Sequence, residues 1–121
     1  MKCIYAIPPN ASEAAKNLAM GYAEALSKLS EGVFMLGDNL RAFAETHSVA
    51  VLKQEDSDWG SACAGLSEHW AGHLGKLFWS SEEAKQVGNA CQRESVDTAQ
   101  ILGAWLASQA ARGRSFVLLA E

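Results

Sequence analysis

Apolar residues fall along this chain in two rhythms, short uninterrupted runs and longer stretches that repeat every three or four positions, and their alternation predicts the elements. KCIYAI, Lys2 to Ile7, is a run stopped by Pro8-Pro9, which cannot continue a ladder, so a strand is predicted there. Asn10 then offers an N-cap oxygen and Glu13 a reciprocal acid, after which Ala15, Leu18, Tyr22, Ala25, Leu26 and Leu29 recur at helical spacing. That helix should span residues 11 to 30 and stop near Gly32. VFML, Val33 to Leu36, is a continuous run between Gly32 and Gly37 and reads as a second strand, with Asp38 capping a short helix that buries Leu40 and Phe43. SVAVLK, Ser48 to Lys53, reads as a third strand that gives way to the acidic run QEDSD. Two long helical stretches follow, Ser57 to Trp79 and Ser81 to Ala111, with Glu82 and Glu83 suited to the positive end of the second. RSFVLLAE, Arg114 to Glu121, is most simply a fourth strand.

The resulting order is βαβαβααβ. Strands apolar on both faces, alternating with helices, predict an α/β fold: a single layered domain over residues 1–121 with a mostly parallel four-stranded sheet flanked by helices. A mainly α fold is the alternative, because runs of four to six apolar residues also fit buried helix segments.

Composition narrows the classes of function. With 121 residues, 49% of them hydrophobic and 20% charged, the chain can bury one core and has no room for two domains. A net charge of -4 with scattered basic residues argues against binding to a nucleic-acid backbone, which needs a basic stripe to release counterions. MKCIYAIPPN lacks the apolar core of an export signal, and no stretch is long enough to span a membrane, so a cytoplasmic protein is expected. Three cysteines without a short spacing, Cys3, Cys63 and Cys91, indicate reduced thiols and neither a disulfide framework nor a cysteine zinc site.

Candidate chemistry is sparse. SEHWAGHLGKLFW places His69 and His73 four residues apart, a spacing at which two imidazoles can converge on one metal ion. On a helix, His73 shares a stripe with Trp59, Leu66, Trp70 and Leu77, while His69 lies about 40° to its side. That favours a core histidine and a rim histidine. An unbroken second helix would bring Glu94 near the apolar stripe of Val87, Ile101 and Trp105, where it would be a third ligand or pair with His73; a helix break near Ser95 would instead turn it into solvent. No cofactor is expected, since HExxH, GxGxxG and GxxxxGK[ST] are all absent.

If the sheet is parallel, Asn10, Ser12, Asp38, Asn39, Glu55, Asp56 and Asp58 would crowd the carboxyl ends of the strands, where such folds bind ligands. Helix caps and a solvated loop explain the same residues. Phe78 and Trp79 lie off the Trp70 and Leu77 stripe, so an exposed aromatic pair beside Glu82 and Glu83 is expected to contact another protein, or a second copy of the chain as a homodimer. The favoured reading is a small cytoplasmic protein-binding factor of the inhibitor, immunity-type or regulatory kind. The competing one is a small-molecule or metal-assisted enzyme using the strand-end acids or the His69/His73 pair, disfavoured because no complete catalytic set is present.

Overall fold

The computed structural model describes residues 1–121. Its elements run β1 (Lys2–Ile7), a 3-10 turn (Pro9–Ala11), α1 (Ser12–Lys28), α2 (Val33–His47), β2 (Ala50–Gln54), α3 (Asp56–Ala64), α4 (Glu68–Leu74), β3 (Phe78–Trp79), α5 (Ser81–Gln92), α6 (Asp97–Ala110) and β4 (Ser115–Ala120). The strands form one sheet in the order β2-β1-β4-β3, and every pairing is antiparallel.

The expected mostly parallel sheet and its βαβαβααβ order are therefore wrong, and the cause can be traced to three segments. Val33 to Leu36 is the first turn of α2 and no strand; Gly32, at φ 79°, turns the chain into the helix. The two long stretches expected as single helices are each broken, the first into α3, α4 and β3, the second into α5 and α6 across Arg93 to Val96. Two helices thus stand between every pair of consecutive strands. One helix carries the chain back to the end of the sheet where a strand began and makes the next strand parallel. A second helix cancels that return, so each strand runs opposite to the one before.

Continuous apolar runs mislead here because both faces of the sheet are buried, which makes strands apolar throughout whether they are parallel or not. Side chains alternate between the faces. Ile4, Ala6, Phe116, Leu118 and Trp79 face a core shared with α3 to α6, while Cys3, Tyr5, Ile7, Val117 and Leu119 face one closed by α1 and α2. The α5–α6 contact brings backbones together: a Cβ built on Gly103 would lie 2.5 Å from the Gly88 carbonyl oxygen. Only glycine at both positions lets the backbones meet.

The expected caps also differ. Asn10 is exposed in the 3-10 turn, α1 has no side-chain cap, and Asp38 sits on the exposed side within α2. No helix is long and apolar enough to cross a membrane.

Candidate functional site

The histidine pair lies on α4, a helix of seven residues. His73 is half-buried and His69 exposed, with ring centroids 4.8 Å apart. His73 Nδ1 and Glu83 Oε2 are 3.0 Å apart, and because an ionised carboxylate only accepts, Nδ1 carries the proton. Lys76 Nζ donates to the same oxygen. Ser80 and Glu83 begin α5 as an N-terminal cap, the Glu83 N–H donating to Ser80 Oγ at 3.1 Å. Burial alone would raise the Glu83 carboxyl, but the hydrogen bonds from Lys76 and His73, the Lys76 charge and the Ser80 backbone outweigh it and hold the group below the ordinary carboxylate range.

This cluster straps α4 and the start of β3 to α5. His73 makes its one side-chain hydrogen bond to Glu83, with no hydroxyl or thiol in line as a nucleophile. Glu94 joins neither histidine. It lies in the α5–α6 turn against Gly65, with its carbonyl accepting from Gln100 Nε2 at 2.7 Å, and no three His, Cys, Asp or Glu side chains anywhere are placed to hold one metal ion.

The strand-end acids do not converge. Because β1 and β2 are antiparallel, with Lys2 opposite Gln54 and Ala6 opposite Ala50, Asn10 and Ser12 follow one end of the sheet while Glu55, Asp56 and Asp58 follow the other. Asp56 Oδ1 lies 3.0 Å from the Met1 amine, and Asp38 and Asn39 are exposed on α2. The crowded acidic edge was a product of the parallel sheet and disappears with it.

The aromatic pair is likewise split. Trp79 is 2% exposed and packs in the α3 to α6 core near Phe116, at 6.3 Å between centroids, so it is not the surface anchor expected of it. Phe78 points to the other face and is half-buried against the α1–α2 core. The cause is local: in a strand, neighbouring residues face opposite sides of the sheet, whereas the helical reading placed both on one outer flank. Glu82 is exposed and Glu83 belongs to the strap.

A different surface has the form of a binding site. One flank of α1, carrying Ser12, Lys16, Ala19, Met20, Ala23 and Leu26, faces Gly75 to Phe78 and Ser80 across a groove of about 840 Å³. Gly113 and Ser115 lie at its margin; Ser115 is 2% exposed and its hydroxyl has no partner. Polar residues begin the α1 wall and apolar ones end it. Beyond Leu77, which borders both spaces, a hollow of about 240 Å³ lies between Tyr22, Gly37, Arg41 and Leu119 under Phe34, itself 86% exposed. The Tyr22 ring comes within 3.0 Å of where a Gly37 Cβ would stand, so glycine is what lets the ring settle there.

No local pattern announced this groove. Its walls come from separate segments of the chain, and its signal in the sequence was limited to apolar residues in excess of what α1 needs to cover the sheet. Compared with protein-family models, with curated proteins and with solved structures, the chain matches none of them.

Proposed function

We propose that this chain is a cytoplasmic protein-binding factor of the small inhibitory or regulatory kind, and that it binds its partner in the groove between α1 and β3. The observation that carries the reading is the groove itself: about 840 Å³, with Met20, Ala23 and Leu26 on one wall and Leu77 and Phe78 on the other. Apolar surface gathered in a concavity is what partner recognition uses, whereas scattered exposed apolar residues need no explanation. Phe34 extends the apolar surface past the groove's end. Three free cysteines support a reducing compartment. The enzyme reading loses its support, since the acids are dispersed and His73 is tied into a strap.

Site-specific photo-crosslinking in the source cell tests the proposal. A benzophenone side chain at Met20, in the groove, is expected to capture a defined partner peptide identifiable by mass spectrometry, and the same probe at Ala42, exposed on α2, is not. Ala23→Arg should abolish the Met20 product. Equal labelling from both positions, or a Met20 product indifferent to Ala23→Arg, would remove the groove from consideration.

A further inference from the structure

We infer that the groove receives its partner as an extended strand, added to the sheet along the outer edge of β3. This rests on the groove being the binding surface. β3 is an edge strand, paired with β4 alone. The Leu118 N–H donates to the Leu77 carbonyl at 2.9 Å, and the register sets Phe78 opposite Val117 and Trp79 opposite Phe116. In an antiparallel ladder successive residues direct both backbone groups alternately toward the partner strand and away from it. With Leu77 bonded to β4, the Phe78 N–H and C=O are turned away from β4, at the free edge of a strand whose Phe78 lines the groove.

The opposite wall fits a backbone. Ala19 and Ala23 are the small residues of the α1 flank, leaving width for a chain that must lie about 4.8 Å from β3 to bond to it. A helix, some 10–12 Å across with its own backbone already satisfied, would leave the Phe78 groups unmet. The occupant's chemistry follows from the lining. Alternate side chains of an added strand would meet Met20, Ala23 and Leu26, so they are apolar. The groove's charges, Glu13 with Lys16 and Glu83 with Lys76, balance and select neither sign. The other edge of the sheet is defended: β2 carries an exposed Lys53, a common guard against strand addition, and β3 carries no charge.

The test uses a phage-displayed library of random peptides selected on the intact protein, with Phe78→Ala, Phe78→Pro and Ala23→Arg as variants. Proline removes the outward N–H while sparing the bonds from Leu77 and Trp79 to β4, so the fold is kept; alanine removes the ring and keeps the N–H. The expected result is enrichment of peptides with apolar residues at every second position. Their affinity should be lost in Ala23→Arg and be about two- to tenfold weaker for Phe78→Pro than for Phe78→Ala, the factor set by one backbone hydrogen bond. The Phe78 amide of the unmutated protein should exchange more slowly with solvent when such a peptide is bound. Peptides with helical spacing, equal affinity of the two Phe78 variants, or an unprotected Phe78 amide would overturn strand addition while leaving the groove standing. No enrichment, or binding untouched by Ala23→Arg, would overturn both.

Discussion

Gly103→Ala puts the α5–α6 contact to the test with one methyl group. The added Cβ would stand 2.5 Å from the Gly88 carbonyl oxygen, 2.8 Å from the Cys91 Cβ and 2.8 Å from the Gln92 nitrogen. Ordinary contacts of these kinds are about 3.3–4.0 Å, so the helices must part by roughly 1 Å. Two of the three obstacles are backbone atoms that no rotamer change can remove. Overpacking of this sort typically costs about 1–3 kcal/mol, and with rigid neighbours the upper end applies. Alanine recovers about 1 kcal/mol through helix propensity, which leaves a net loss of about 2 kcal/mol. For a chain of this size that is a fall of roughly 6–12 °C in melting temperature. Gly21→Ala, in the exposed middle of α1 with nothing within 4 Å of the new Cβ, supplies the control and should gain up to about 1 kcal/mol. Urea and thermal unfolding followed by circular dichroism read both variants. A Gly103→Ala protein as stable as the parent would mean that α5 and α6 do not meet through these glycines.

Other outcomes can be checked alongside. Trp79→Ala should destabilise by about 3–5 kcal/mol in urea unfolding, as expected for a large buried aromatic, and a loss below about 1 kcal/mol would return Trp79 to the surface. Glu83 has a folded pKa below its ordinary 4.5, so the advantage of the parent over Glu83→Gln is present above that value and lost as pH falls through the lowered folded one; an advantage independent of pH would break the strap argument. Burial pushes the Cys91 thiol from 9.0 up to about 11, with Cys63 and Glu94 adding to the shift, so its contribution is complete below pH 9.0 and declines as pH rises toward 11. Iodoacetamide should accordingly modify Cys91 slowly in the folded protein at neutral pH and readily once it is unfolded.

Where the sequence was legible, one pattern was decisive. Lys2 to Ile7 and Arg114 to Glu121, bounded by prolines or charges, read most simply as strands and are β1 and β4, and α1 repeats its apolar positions for long enough to leave no competitor. The errors share a cause. Val33 to Leu36 is too short for periodicity to separate strand from helix, and the exposure of Phe34 and Met35 decides it only once the fold exists. Phe78-Trp79 is a strand of two residues, held by β4 and invisible in a window that also contains α4. From these two segments, and from the breaks between α3 and α4 and between α5 and α6, followed the wrong count of helices per connection, and from that the wrong direction of the strands and the imagined acidic edge. The His73–Glu83 contact joins residues ten apart across β3, and no pattern read along one helix could have paired them.

The sheet's middle pair joins residues 2–7 to residues 115–120. All six helices lie between the two strands at the centre of the fold, so the ladder that organises both cores closes a loop of more than a hundred residues. Such a topology defers its reward: α1 and α2, or α5 and α6, can pair early, but neither face of the sheet is complete until the last strand arrives. At about 5–20 residues per second of synthesis, β1 waits roughly 6–20 s on the ribosome for β4, with only β2, made midway, to pair with it in the interval. Throughout that interval the edge of β1 that β4 will cover stays open, and the nascent chain depends on chaperones or on its own early helices to keep this apolar strand from pairing with a neighbour.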